Sequence, residues 1–238
     1  MEVSIRFQNS STLLKPRIKI AEAKRNGALF QLYQHDDKFG ISLDGKELMN
    51  SNATASEYLL GKIGVEKIIK TNPARVLIGG LGLGFTLKSV LENTSNLVHV
   101  IVAEIIPEII DWNRSYLTQL NGFLLNEPRV QVEQANVADL MFNTKNETYD
   151  SILLDLDNGP IPMTNNNNDF LYSVSGIKKI KSLLQDKGRL VIWSAGSDYN
   201  FENRLNFSSI KFKKIPARIH ENAKRARHML YVFDKVRS

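Results

Sequence analysis

The chain contains no cysteine and only four histidines among its 238 residues. Without cysteine it can form neither a disulfide framework nor a zinc site with thiolate ligands. The histidines are scattered along the chain, so we expect no metal centre. No apolar run approaches the ~20 residues that a membrane-spanning helix needs. The first ten residues also lack the apolar core of a secretory signal. These absences predict a cytoplasmic protein with no membrane partner.

The net charge of +6 is concentrated near the end of the chain. The basic residues of this segment include Lys211, Lys213, Lys214, Arg218, Lys224, Arg225, Arg227 and Lys235. Such a cluster can bind nucleic acid, but RNA-binding surfaces also interleave aromatic residues with the basic ones, and that pattern is missing. We interpret the cluster as a solvated sheet edge kept unpaired by its lysines. A nucleic-acid partner is therefore not expected.

The most informative segment is the glycine-rich stretch at 75–86, Arg-Val-Leu-Ile-Gly-Gly-Leu-Gly-Leu-Gly-Phe-Thr. Val76–Ile78 predicts a buried strand, and Phe85–Leu91 predicts the helix that follows. The turn between them carries three glycines at alternate positions, Gly80, Gly82 and Gly84. Backbone can approach a ligand closely over such a turn, and the helix N-terminus adds unpaired N–H groups and a positive dipole end. The segment therefore predicts a site for a nucleoside cofactor.

The spacing of these glycines excludes the dinucleotide fingerprint. That fingerprint is G-x-G-x-x-G, and after Gly80 and Gly82 its third glycine would fall at position 85, which is Phe85. The pattern found, G-x-G-x-G, is typical of proteins that bind S-adenosylmethionine or a related sulfonium nucleoside. Glu104 ends the next apolar run, at the place where nucleotide-binding α/β folds hold a ribose. We predict that the three glycines, Glu104 and the adjacent Ile105 bind such a nucleoside.

The order of apolar runs predicts an α/β fold with two domains. Residues 1–55 contain short alternating runs separated by the turn signals Asn26-Gly27 and Asp44-Gly45, which predict a small N-terminal antiparallel β-domain. In residues 56–238, apolar strands alternate with helical patterns from position 75 onwards, which predicts a doubly wound parallel sheet covered on both faces. The patterns also predict a helix over 56–70 and a late strand over 208–212.

Two aspartates follow the predicted strand Tyr149–Asp155. This strand delivers Asp155 to the carboxyl edge of the sheet, where doubly wound folds bind their ligands. If the chain stays extended, Asp155 and Asp157 face the same side, and such a pair can hold a cationic amine and accept its proton. Asp157 and Asn158 fit equally well as caps of the turn that follows.

Residues 38–195 resemble the spermidine synthase family of aminopropyltransferases in six segments. These segments are Phe39–Gly45, Arg75–Leu91, Val102–Glu108, Asn126–Val130, Tyr149–Asp155 and Phe170–Tyr172. The resemblance implies a methyltransferase-type Rossmann-like domain behind a small N-terminal β-domain. It also implies a homodimer, since dimers are common in the family.

The resemblance implies roles for individual residues as well. Those implied to contact the nucleoside are Glu104 at the ribose and Asn136 and Val137 at the adenine. Those implied to act on the acceptor are Asp155 and Asp157 as catalytic groups and Asn158 and Tyr172 as substrate contacts. The acceptor implied is a small-molecule amine.

Three departures from the family pattern leave the reaction open. Leu83 stands where the family has an acid that helps to hold the aminopropyl group. Residues 155–160 read Asp-Leu-Asp-Asn-Gly-Pro instead of Asp-Ser-Ser-Asp-Pro. The segment at 50–58, which in the family binds the polyamine, retains a single acid, Glu57.

Three functions are therefore compatible with the sequence. The first is a transferase that moves an alkyl (aminopropyl) group from S-adenosylmethionine or its decarboxylated form to an amine acceptor. The second is a methyltransferase that uses intact S-adenosylmethionine on an unknown substrate. Leu83 favours it, because an acid at this position would repel the carboxylate of the intact cofactor. The third is a non-catalytic nucleoside-binding protein.

Overall fold

The computed structural model describes residues 16–146, 148–156 and 170–236. Asp157 and Asn158 lie outside the described residues, as does the asparagine-rich stretch at 164–169.

The N-terminal part forms a four-stranded antiparallel sheet in the order β1-β2-β3-β4. Its strands are β1 (Ile18–Arg25), β2 (Ala28–His35), β3 (Lys38–Leu43) and β4 (Lys46–Asn50). In each of the turns Asn26-Gly27 and Asp44-Gly45 the two residues have positive φ, as type I′ turns of tight hairpins require. The first three strands and these turns were predicted from alternation, whereas β4 was not.

The rest of the chain builds a seven-stranded sheet in the order β10-β11-β9-β8-β5-β6-β7. Its strands are β5 (Ala74–Gly79), β6 (Val98–Glu104), β7 (Val130–Gln134), β8 (Tyr149–Leu154), β9 (Leu184–Ser194), β10 (Phe212–Ala217) and β11 (His228–Asp234). The helices are α1 (Ala55–Val65), α2 (Phe85–Asn93), α3 (Pro107–Ser115), α4 (Thr118–Asn121), α5 (Val137–Asn143), α6 (Val174–Leu183) and α7 (Tyr199–Phe207). Strands β5 to β9 pair in parallel, and β11 and β10 pair antiparallel at one end. The predicted doubly wound α/β sheet is confirmed.

Both faces of the central strands β5, β6 and β8 are buried, which explains why these strands are largely apolar. Val76 and Ile78 of β5 belong to one buried cluster, whereas Leu77 between them belongs to the other. None of the helices among the described residues is long and apolar enough to cross a membrane. The order of the sheet reverses at β5, because the chain continues to β6 on one side and later returns to β8 on the other. The crevice beyond the carboxyl ends of β5 and β8 is therefore the place where this fold class binds ligands.

Two predicted elements form, but with different bounds. The helix predicted over 56–70 ends at Val65, where the next N–H groups bond three residues back, so that the last turn tightens. The late strand predicted over 208–212 begins only at Phe212. Residues 208–211 instead form the turn that follows helix α7 (Tyr199–Phe207), where Ser209 has a φ of 55° and the N–H of Ile210 donates to the carbonyl of Leu205 at 3.1 Å.

Candidate active site

The glycine turn lies directly against the segment that follows β8. Gly80, Gly82 and Gly84 all have positive φ, at 96°, 52° and 88°. A Cβ atom on Gly80 would lie 2.1 Å from the carbonyl oxygen of Asp155. The turn therefore needs glycine at position 80 for its backbone conformation and also for its packing.

Replacing Gly80 by Ala should separate these two requirements when it is compared with Gly27→Ala. A Cβ on Gly27 meets nothing within 4 Å although its φ is 84°, so the control isolates the cost of the left-handed conformation, about 1 kcal/mol. We expect Gly80→Ala to lower the free energy of unfolding by about 2 kcal/mol more than Gly27→Ala does, because the backbone at Asp155 must move to make room for the new Cβ. Urea denaturation of both variants measures the difference. Equal losses would show that the close approach is unimportant.

Glu104 joins the glycine turn to the end of β6. Its side chain is buried, at 6% exposure, and its two oxygens accept different backbone N–H groups. Oε2 accepts the N–H of Leu81 at 3.0 Å, and Oε1 accepts the N–H of Ile106 at 2.9 Å. Each carboxylate oxygen has two lone pairs, so the group can also accept hydrogen bonds from a ligand.

A cavity of about 460 Å³ opens above this carboxylate, and we name it the first cavity. The predicted nucleoside residues that line it are Gly80, Gly82, Glu104, Ile105, Asn136 and Val137. Asn136 also caps α5, where its Oδ1 accepts the N–H of Ala138 at 2.8 Å. The N-terminal sheet supplies the opposite wall, which includes Phe30, Leu43 and Met49.

Gly84 is placed differently from the other two glycines. It is the N-cap residue of α2, and a Cβ there would lie 3.0 Å from Oδ1 of Asn113. Gly84 is not among the described residues that line the first cavity. Its position explains a need for glycine without a ligand contact.

Asp155 lines the first cavity and also a second one of about 280 Å³. The hydroxyl of Thr86, at the start of α2, donates to its carboxylate. The N–H of Asp155 continues the pairing of β8 with β5 by donating to the carbonyl of Gly79 at 2.8 Å. The predicted catalytic aspartate therefore lies where the two cavities meet.

The second cavity is lined by three acids, Glu47, Glu57 and Asp155, and by no lysine or arginine among the described residues. Glu47 accepts hydrogen bonds from the Tyr33 hydroxyl and the Asn50 amide. Burial and the Glu47 carboxylate raise the pKa of Tyr33 to about 12, so this hydroxyl keeps its proton. Burial also raises the pKa of Glu57. The segment at 50–58 does retain a single acid, but β4 brings Glu47 to the same cavity.

His228 and Trp193 also line the second cavity, and no sequence pattern predicted a role for them. Their rings pack edge to face with centroids 4.6 Å apart. Nδ1 of His228 lies 2.9 Å from Oγ of Ser56. Burial, with the charge of Arg227, lowers the pKa of His228, so its imidazole is neutral near pH 7. A single histidine and a single tryptophan on separate strands carry no spacing signal.

Tyr172 lies in the core beside α7. It is 4% exposed, and its ring packs edge to face on Phe201 with centroids 5.7 Å apart. Tyr172 is not among the described residues that line the two cavities. Its role as a substrate contact stays a prediction.

No family model matches the chain. Six curated relatives nevertheless match, and all six are polyamine aminopropyltransferases. The protein of Pyrobaculum neutrophilum is 30% identical over 132 residues, which are 55% of this chain and 44% of the relative. That of Sulfurisphaera tokodaii is 26% identical over 76% of this chain and 60% of the relative. The protein of Thermococcus onnurineus is 33% identical over 56% of this chain and 44% of the relative. The chain thus spans about half the length of these relatives.

Solved structures of spermidine synthases share the fold. One, in complex with the transition state analogue AdoDATO, superposes with a TM-score of 0.68 and 19% identity, covering 91% of this chain and 72% of that one. The spermidine synthase of Thermotoga maritima superposes with a TM-score of 0.68 and 18% identity, and it also covers 91% of this chain and 72% of that one. The resemblance predicted from the sequence is confirmed: the chain is similar in sequence to polyamine aminopropyltransferases and in fold to spermidine synthases.

Proposed function

We propose that the chain transfers an aminopropyl group from a sulfonium nucleoside in the first cavity to an amine in the second. The observation that carries this proposal is that Asp155 lines both cavities, so the two reactants would meet beside its carboxylate. Further support comes from the relatives, whose names specify aminopropyl transfer.

A nucleoside fits the first cavity by its chemistry. The Glu104 carboxylate suits ribose hydroxyls, which are hydrogen-bond donors. The glycine turn leaves room for the sulfonium end of the ligand near Gly82, at the edge shared with the second cavity. Ile105 and Val137 provide apolar surface for a base.

An amine fits the second cavity by its charge. Three carboxylates with no lysine or arginine beside them among the described lining residues create a site that favours a cation, and a bound ammonium would in turn favour the ionised form of each acid. The volume of about 280 Å³ suits a small molecule rather than a macromolecule. We therefore propose a small-molecule amine as acceptor. The homodimer that the resemblance implies and the cytoplasmic location that the composition predicts belong to the same proposal.

The reaction would proceed by displacement at carbon. The neutral amine nitrogen attacks the carbon bound to the sulfonium sulfur, a C–N bond forms, and the C–S bond breaks. Its electron pair returns to sulfur, which leaves as a neutral thioether nucleoside. Asp155 would orient the attacking amine through a hydrogen bond and stabilise the positive charge that develops on nitrogen.

A second candidate, a methyltransferase that uses intact S-adenosylmethionine, is favoured by one observation. Arg25 is the single basic side chain among the described residues that line the first cavity. Such a side chain could pair with the carboxylate that the intact cofactor has and the decarboxylated form lacks.

Replacing Arg25 by Ala tests this difference. If the intact cofactor is the natural ligand, its affinity should fall by about fivefold, as expected for a half-exposed ion pair. Binding of the decarboxylated form should be unchanged or stronger. Calorimetry with both nucleosides and methylthioadenosine measures the effect. An equal change for both would show that Arg25 does not sense the carboxylate.

The reaction itself is tested by incubating the protein with each nucleoside and a set of diamines, followed by mass spectrometry. Aminopropylated amine together with methylthioadenosine would support the first candidate, and methylated amine the second. Nucleoside binding without either product would leave the non-catalytic alternative, and absence of nucleoside binding would exclude all three candidates.

A further inference from the structure

Three side chains at the second cavity form one continuous hydrogen-bonded chain. Nδ1 of His228 lies 2.9 Å from Oγ of Ser56, and this hydroxyl donates to Oε2 of Glu57 at 2.7 Å. Ser56 is fully buried, whereas His228 and Glu57 line the cavity. The first turn of α1 is thereby connected to the first residue of β11.

The single hydroxyl proton of Ser56 sets the direction of this chain. When Glu57 is ionised it can only accept, so Ser56 donates to it and must accept from His228. His228 then carries its proton on Nδ1, and the lone pair of Nε2 is available. When Glu57 is protonated, it can donate to Ser56, and Ser56 can donate to Nδ1. The histidine proton is then on Nε2.

We propose that Glu57, Ser56 and His228 form a proton relay that removes the proton released when the acceptor amine is alkylated. This inference rests on the proposed function. The alkylated nitrogen gives its proton to Nε2 of His228, Nδ1 gives its proton to Oγ of Ser56, and Ser56 gives its own to Oε2 of Glu57. The product is a neutral secondary amine, a neutral histidine of the opposite tautomer and a protonated Glu57.

The charges around the relay favour this end state. Burial raises the pKa of Glu57, which makes the carboxyl a good store for a proton. Burial and Arg227 lower the pKa of His228, so the proton does not remain there as an imidazolium. The other ionisable groups that face the cavity are Glu47 on β4 and Asp155 after β8. The negative charges of both carboxylates would add to the cost of ionising Glu57 and so favour its protonation.

The relay can be observed without any reaction, by 15N NMR of the His228 ring in the complete protein. The signals are assigned by their loss in His228→Asn. We expect the ring to stay neutral while its proton moves from Nδ1 to Nε2 as Glu57 is protonated. In Ser56→Ala the tautomer should no longer follow Glu57. Two results would overturn the proposal: a His228 tautomer that stays the same in the wild type when Glu57 is protonated, or a His228 ring that becomes an imidazolium over the same pH range.

Turnover provides the second readout, with Ser89→Ala as a matched control. Ser89 is also fully buried and holds α1 by donating to the carbonyl of Tyr58 at 2.6 Å, but it lies outside the relay. We expect Ser56→Ala to lower kcat by about a hundredfold with little change in KM for the amine, and Ser89→Ala to change neither. Similar kcat values for the two variants would contradict the relay. A wild type without turnover would contradict the proposed function, and the NMR result would still decide whether the relay exists.

Discussion

Replacing Asp155 by Asn is expected to lower kcat by about a hundredfold or more, the range found for positioned acid–base groups. Asn keeps the size of the side chain and an oxygen that can accept the Thr86 hydroxyl, so the segment after β8 should stay in place. What it loses is the negative charge between the two cavities, which orients the amine and stabilises the ammonium formed by its attack. Nucleoside affinity, measured by calorimetry, should therefore change little.

Asp150→Asn is the matched control for this change. Asp150 lies on the same strand at the opposite edge of the sheet, where its carboxylate accepts the N–H of Arg75 at 2.8 Å. We expect normal turnover from this variant, measured as product formed per unit time under saturating nucleoside and amine. If Asp155→Asn retained wild-type kcat, the chemistry would have to take place elsewhere.

Replacing Glu104 by Ala should weaken nucleoside binding by about a hundredfold or more. Hydrogen bonds to a charged group contribute about 1.5–3 kcal/mol each, and a ribose can donate two. The same change leaves the N–H groups of Leu81 and Ile106 without their acceptor, which costs about 1–3 kcal/mol of stability for each group that water cannot reach. We therefore expect a lower melting temperature as well as weaker binding.

Glu104→Gln separates binding from folding, since one amide oxygen still accepts a backbone N–H while the charge is gone. It should bind the nucleoside much more weakly than the wild type and melt closer to it than the alanine variant. Glu92→Ala, at an exposed position on α2, serves as the control that should bind normally. Affinity that survived in Glu104→Ala, measured by calorimetry, would show that the ribose lies elsewhere.

That the glycine turn and Glu104 meet at the first cavity could be predicted from the sequence, because the signals of both are local. The glycine turn needs positive φ and close approach, and Glu104 ends the adjacent strand, so both are visible within about one strand–helix–strand unit. The structure brings Gly80, Gly82, Glu104, Ile105, Asn136, Val137 and Asp155 together around one cavity.

Glu47, Trp193 and His228 of the second cavity were not predicted, because the residues of this cavity come from separate parts of the chain. Glu47 lies on a strand that alternation did not reveal, and His228 reaches Ser56 only because β11 pairs antiparallel with β9. Neither residue has a partner at a fixed spacing in the sequence. Their meeting depends on the order of strands in the finished sheet. That three acids line the second cavity could therefore be known only from the structure.

The wall that β4 contributes has a thermodynamic consequence. Leu48 and Met49 line both cavities, and a Cβ on Gly82 would lie 3.2 Å from Sδ of Met49. A nucleoside that orders this wall reduces the entropy that the amine must lose on binding, so each ligand should raise the affinity for the other. Linkage requires the two factors to be equal, whichever ligand binds first.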